Sequence, residues 1–319
     1  MSETSPRKII IDCDPGVDDA LAIALAIESP DFELIGLTTL YGNADIETTT
    51  ANALRVIEMS GQSIPVARGA GRPSVIPLPE PPDFVHGKDG FGNTYFPAPV
   101  SQPIEQPAAE FIVDAINANP GEVSLVCVAG LTNIADALAL DPSIVEKVQE
   151  VVLMGGALYR PGNVTPVAEA NIAEDPHAAD IVFTASWKLT MVGLDATLST
   201  YLSRARLDGI RRSNARFGDF LYQVHQFYID FYASREPDLD GCAVHDSAAL
   251  LYLLDPTLFE TTAGPIRVVV EGIAIGQTIM AAYDYQRELE PWRGKPDVTV
   301  TLKVDSDRLI GLIEKILSD

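Results

Sequence analysis

Four carboxylates crowd one short run, Asp12-Cys13-Asp14-Pro15-Gly16-Val17-Asp18-Asp19, with no Lys or Arg among them. Acids packed this closely repel one another unless something positive sits between them. The spacing therefore asks for a cation. Cys13 reads as a packed residue, because neighbouring carboxylates raise a thiol's pKa rather than activate it. The ligands left are all oxygens, which suits Ca2+ or Mg2+ better than zinc.

The elements that must position these acids are legible around them. Ile9-Ile10-Ile11 has the signature of a buried strand, and Asp12 and Asp14 lie at its carboxyl end, where open α/β sheets bind ligands. Pro15-Gly16 makes a turn and Val17 begins a helix, so Asp18 and Asp19 fall in its first turn, where free N–H groups favour anions. Neighbouring helical residues point about 100° apart. One of the pair can turn to a metal with Asp14 while the other faces a bound substrate.

Beyond the acidic run, apolar strand-like segments alternate with helical patterns. Strands are expected at 8–12, 33–39, 64–67, 123–128, 151–154 and 189–192, and helices at 17–27, 47–60, 106–119, 131–140 and 175–185. One long helix is expected over 213–234, another opens near His245, the stretch 265–304 reads as β-rich, and a last helix covers 305–317. Strands apolar throughout and separated by helices indicate a mainly parallel sheet covered on both faces. The expected architecture is α/β, a single large Rossmann-like domain over residues 1–319. The Pro/Gly-rich segment from Gly69 to Pro107 reads as a long loop, and loops of that length in a compact domain are usually functional.

The chain of 319 residues is 47% hydrophobic, enough for a sizeable core, and carries a formal charge of −23. That sign excludes nucleic acid and anionic membrane surfaces as natural partners. The N-terminal residues 1–8 form no apolar leader, and the apolar run Ala20 to Ile27 is too short to span a bilayer. Cys13, Cys127 and Cys242 have neither metal-like spacing nor an even disulfide set, which points to a reducing cytoplasm.

The run Asp12 to Ala20 resembles the N-terminal signature of the nucleoside hydrolases, the inosine–uridine-preferring family. Further blocks are similar to that family in the same order: Gly42-Asn43, His86 to Gly90, Leu131-Thr132-Asn133, Met154-Gly155-Gly156, Gly162 to Pro166, Glu169-Ala170-Asn171, Asp175-Pro176 and His245-Asp246. They cover nearly the whole chain. The resemblance implies the nucleoside hydrolase fold and an enzyme that cleaves the N-glycosidic bond of small-molecule ribonucleosides. It implies Ca2+ held by Asp14, Asp19, the Val128 carbonyl and Asp246, with ribose hydroxyls and water completing about 6–8 oxygens. A calcium-bound water would be deprotonated by Asp14. Asp18 and Asn43 would take the 2′- and 3′-hydroxyls with Asn171 nearby, and Asn163 and Glu169 the 5′-hydroxyl. Family members are commonly homodimers or homotetramers.

On the leaving-group side, His245 is the candidate proton donor to the base, and His86 would approach ribose or base as the long loop closes. Tyr228 and Tyr232 stand at i and i+4 on one helix face, and aromatic residues of this helix contact the base in related enzymes. His177 reads as structural and His225 as a helix-face residue. Asp12 is expected to support the loop or orient Asn43 rather than join the chemistry. Ala170 departs from the family, where many members carry an aromatic residue. His245 stands where purine-specific relatives carry Trp, so a broad inosine–uridine or pyrimidine preference is expected. Two other readings differ in class. A Mg2+-dependent phosphatase of the haloacid dehalogenase type would use Asp12 as covalent nucleophile, and a non-catalytic nucleoside-binding protein would keep the pocket alone.

Overall fold

The computed structural model describes residues 5–318. Twelve strands are present among them: β1 (Arg7–Cys13), β2 (Phe32–Thr39), β3 (Val66–Arg68), β4 (Val123–Cys127), β5 (Glu150–Met154), β6 (Leu189–Val192), β7 (Tyr201–Ser203), β8 (Gly241–Ala243), β9 (Phe259–Gly264), β10 (Ile266–Val268), β11 (Thr278–Met280) and β12 (Val298–Val304). The helices are α1 (Val17–Glu28), α2 (Ile46–Ser60), α3 (Asp83–His86), α4 (Ala108–Ala118), α5 (Thr132–Leu140), α6 (Ala170–Glu174), α7 (Pro176–Thr184), α8 (Leu194–Thr197), α9 (Arg204–Ser213), α10 (Gly218–Arg235), α11 (His245–Tyr252), α12 (Asp284–Arg287) and α13 (Ser306–Ser318).

Eight strands form one sheet in the order β3-β2-β1-β4-β5-β6-β12-β9. Every neighbouring pair is parallel except β12 with β9. The expected mainly parallel α/β architecture is what forms. Its strands are apolar throughout because both faces are covered. Ile9, Ile11 and Cys13 of β1 face a core built with α1, α2, α10, α11 and α13, while Ile10 faces a second core with α4, α5 and α7.

From β1 the chain moves outward through β2 and β3, then returns to β4 beside β1 and proceeds the other way. The crevice beyond the carboxyl ends of β1 and β4 is thus the point where strand order reverses, the favoured ligand position in such sheets. Asp12 pairs with Cys127 there.

Two expectations need correction. The segment 213–234 is not one helix. Asn214 Oδ1 accepts from the N–H groups of Arg216 and Phe217, at 3.1 and 2.7 Å, which turns the chain between α9 and α10. Gly218 then lets α10 pass close to α9, since a Cβ there would meet Arg211 backbone at 2.8 Å. The long segment 69–107 is also not irregular throughout. It contains α3, and the Asp89 carboxylate gathers the N–H groups of Phe91, Asn93 and Tyr95. Phe91 is buried, so this stretch is already packed against the body.

Candidate active site

Asp12 and Asp14 leave β1 at the reversal point. Asp12 is buried, and its Oδ1 accepts from Thr38 Oγ1 at 2.5 Å and Asn133 Nδ2 at 2.8 Å. Its backbone carbonyl accepts from Val128 N–H at 2.8 Å, which fixes the end of β4 against β1. Burial lifts the Asp12 pKa to about 7 against the pull of those two side-chain bonds.

Asp14 Oδ2 accepts from Asn43 N–H at 2.6 Å, while Oδ1 is buried without a partner among the described residues. Burial and the charges of Asp19, Glu174 and Asp246 push its pKa well above the usual carboxylate range. Asp19 folds back over the start of α1. It accepts from Asp14 N–H at 3.2 Å, Gly16 N–H at 2.9 Å and Asn43 Nδ2 at 3.0 Å. Burial still holds its pKa up, at about 6. Asp18 Oδ1 is buried and unpartnered among the described residues, and burial with the Asp19 charge lifts that carboxyl to about 8. Asp246, in the first turn of α11, is 2% exposed and is raised by burial, Asp18 and Asp19.

Asp18, Asp19 and Asp246 each offer an oxygen within 4.8 Å of the others. Buried acids at that separation, with orphaned oxygens, are the surroundings a hard dication neutralises. The donor set is all oxygen, and the Val128 carbonyl, one residue past β4, accepts no hydrogen bond among the described residues. Of the expected set, Asp19 and Asp246 stand in this group, and the buried, unpartnered Asp14 Oδ1 and the oxygen-only chemistry suit a hard cation. The tightest triangle, however, contains Asp18 rather than Asp14.

Beside the acids stand aromatic and imidazole groups. His245 opens α11, with Nδ1 at 2.8 Å from Thr197 Oγ1 and Nε2 at 2.8 Å from the Tyr232 hydroxyl. Burial lowers its pKa to about 4, so the ring is neutral at pH 7. Tyr228 and Tyr232 meet edge to face at 5.2 Å, and the Asp18 charge acts on both phenols. His86 stacks on Tyr228 with centroids 5.2 Å apart and accepts from Val17 N–H at 3.3 Å through Nδ1. It lies 3.9 Å from Asp18, but burial and His245 push its pKa down to about 3. That contact is a neutral imidazole beside a carboxyl group, not an ion pair.

A family model described as inosine-uridine preferring nucleoside hydrolase matches residues 9–311. The chain belongs to that family. It is 39% identical to a probable uridine nucleosidase 1 of Oryza sativa subsp. japonica over 97% of this chain and 96% of that one. It is 40% identical to an inosine-uridine preferring nucleoside hydrolase of Leishmania major, covering 94% of each. A solved plant nucleoside hydrolase superposes with TM-score 0.94 at 38% identity, over 98% of this chain and 99% of that one.

In this nucleoside hydrolase the fold brings Asp14, Asp18, Asp19, Asn43, His86, Tyr228, Tyr232, His245 and Asp246 together. The residues expected at the 5′-hydroxyl are already engaged in hydrogen bonds within the chain. Glu169 is buried at the start of α6, accepting from the N–H groups of Gly156, Asn171 and Ile172. Asn163 sits in an exposed loop with its Oδ1 capping Ala170 N–H at 3.0 Å, and Asn171 Nδ2 binds the Met154 carbonyl at 3.0 Å. Asp12, the nucleophile of the phosphatase reading, is locked beneath the site by Thr38 and Asn133, and the family match gives that reading no support. His225 is buried within α10, its Nδ1 against the Leu221 carbonyl.

Two residues near the site, Glu174 and Thr197, escaped the sequence reading, and Asn133 was given no role there. Asn133 ties Asp12 to the Thr39 carbonyl and to Ala70 N–H. Glu174 accepts from Gly130 N–H at 3.1 Å and faces Asp14 across Gly42, where a Cβ would collide with Asp14 Oδ2 and come within 2.7 Å of Glu174 Oε1. Thr197 holds His245. Asn133 was visible as part of a family block, but Glu174 and Thr197 gave no signal. Among the described residues no helix is long and apolar enough to cross a membrane.

Proposed function

We propose that this chain hydrolyses the N-glycosidic bond of ribonucleosides to free base and ribose, with Ca2+ as its resident ion. The observation that carries this reading is the juxtaposition of a buried carboxylate cluster with orphaned oxygens and a neutral string of hydroxyl and imidazole groups. Asp14, Asp19, Asp246 and the Val128 carbonyl would hold the ion, beside Asp18. When bound, a hard dication supplies Lewis-acid polarisation of a water and an anchor for a sugar diol.

Asp14 is the general base. Its Oδ2 is pinned by Asn43 N–H, which leaves Oδ1 free to take a proton from the attacking water. The water oxygen bonds to the anomeric carbon, the bond to the base nitrogen breaks with its electron pair, and the base is stabilised by donors on the far side. His245 acts on the base through Tyr232, whose hydroxyl is the donor, and Tyr228 and His86 wall the base. Asp18 and Asn43 grip the 2′- and 3′-hydroxyls beside Asn171. Glu169 keeps acceptor capacity after three N–H bonds, and with Asn163 it receives the 5′-hydroxyl. Gripping an unreactive sugar lets binding energy favour its distortion toward the transition state.

The reading includes a broad inosine–uridine or pyrimidine preference, supported by His245 before Asp246 and by the names of the relatives. It also includes one catalytic unit over residues 1–319, a homodimer or homotetramer, and a reducing cytoplasm, the last supported by three buried free cysteines. The test is release of free ribose from uridine, cytidine, inosine and guanosine, compared by kcat/KM, with Asp14→Ala as control. Release from uridine and inosine that is lost in Asp14→Ala is expected. A strong guanosine preference overturns the specificity, and no release from any nucleoside favours a binding protein.

A further inference from the structure

We propose that Thr197 is a positioning residue for departure of the base: its hydroxyl fixes the tautomer of His245 and so turns the Tyr232 proton outward, toward Tyr228 and the base pocket. The inference rests on the reading of the site as an N-ribosyl hydrolase.

The argument is one of hydrogen-bond satisfaction. Thr197 ends α8 and is fully buried. Among the described residues its hydroxyl has one partner, His245 Nδ1 at 2.8 Å. A hydroxyl has a single proton, and a buried O–H left without an acceptor is unfavourable. The Thr197 proton therefore goes to Nδ1. An imidazole that accepts at Nδ1 is neutral and carries its proton on Nε2. Nε2–H then donates to the Tyr232 oxygen at 2.8 Å.

With its oxygen occupied from behind, Tyr232 must point its own proton elsewhere. The Tyr228 ring is its edge-to-face neighbour, with centroids 5.2 Å apart. The opposite polarity would strand the Thr197 proton and spend the Tyr232 proton on Nε2, leaving no donor facing the base. The helix end that carries Thr197 is itself held. Two residues earlier, Asp195 accepts from Leu158 N–H at 2.7 Å and from Tyr159 N–H at 2.8 Å. Thr197 thus sets the direction of the whole string without touching substrate.

Thr197→Val keeps the shape and removes the proton, and Thr197→Ser restores it. For inosine and uridine, whose bases leave poorly, kcat in Thr197→Val should fall on the order of tenfold or more. For p-nitrophenyl riboside, whose leaving group departs unaided, it should change by no more than about twofold. Thr197→Ser should recover most of the nucleoside rate. A Val variant that keeps its nucleoside kcat overturns the proposal, as does one that loses both substrate classes equally. Imidazole 15N shifts in the resting protein decide the tautomer independently of turnover: an unprotonated His245 Nδ1 is expected, and a protonated one overturns the proposal. If the wild type cleaves neither nucleosides nor the activated riboside, the functional reading fails by itself and the tautomer assignment is still judged by the shifts.

Discussion

Asp246→Asn should raise stability without a divalent ion and lower it with one, a crossing that only a cation site produces. Asp246 shares a triangle with Asp18 and Asp19, all within 4.8 Å. At an effective dielectric near 20, two unit charges at that separation repel by about 3 kcal/mol. Protonation caps the penalty, because a carboxyl forced to keep its proton at pH 7 against an ordinary pKa near 3.9 costs about 4 kcal/mol. The neutral amide removes one member of the cluster and should return about 1–4 kcal/mol in chelator, or roughly 2–8 °C in melting temperature. With calcium at a thousandfold excess over its dissociation constant, the wild type gains about 4.1 kcal/mol and the variant much less. Thermal melts of both proteins in EGTA and in CaCl2 measure the crossing. A variant less stable than wild type in chelator, or a wild type indifferent to calcium, would refute the reasoning.

Two further perturbations separate packing from chemistry. His225 is buried and its pKa is lowered from 6.5 to about 4, chiefly by burial, so between those values the unfolded chain binds more protons than the folded one. Its stability contribution is intact above pH 6.5 and declines by about 3 kcal/mol as pH falls to 4. Denaturant titrations should therefore show a shallower acid slope in His225→Gln, and parallel slopes would contradict this. Gly42→Ala inserts a methyl group against Asp14 Oδ2 and near Glu174 Oε1. It should cost about 1–3 kcal/mol of stability and, by moving Asn43 off Asp14, about a hundredfold in kcat/KM; nucleoside assays near the wild-type rate would contradict it.

What the sequence made legible was local. The triple Ile, the Pro-Gly turn and the Asp pair lie within eleven residues, and strand, turn and helix form there as their types require. The parallel sheet followed from strands with no polar face. What stayed hidden depends on distant packing. Asp12 finds Asn133 across 121 positions, and Thr197 finds His245 across 48. No periodicity announces either pairing. The break at Asn214 was missed because its apolar spacing continues a helix, while the side chain competes for the very N–H groups a helix start leaves free. Asp18 and Asp19 were separated by their angle on the helix, yet α11 brings Asp246 near both, so angular spacing on one helix does not decide which acid faces a third element.

The arrangement also explains why the neutral groups are neutral. His86 sits 3.9 Å from the Asp18 carboxyl group, yet burial lowers its pKa as it lowers that of His245. A cationic imidazole in that position would pair with Asp18 and compete with the positive charge that develops on the sugar. Kept neutral, the rings donate or accept hydrogen bonds without cancelling the field of the acids. The negative side of the pocket is then free to stabilise an oxocarbenium-like centre, and the other side presents oriented O–H and N–H groups to the base as it gains electrons. Burial of the histidines and crowding of the aspartates are therefore one electrostatic device, in which charge is confined to the face where charge of the opposite sign appears during the reaction.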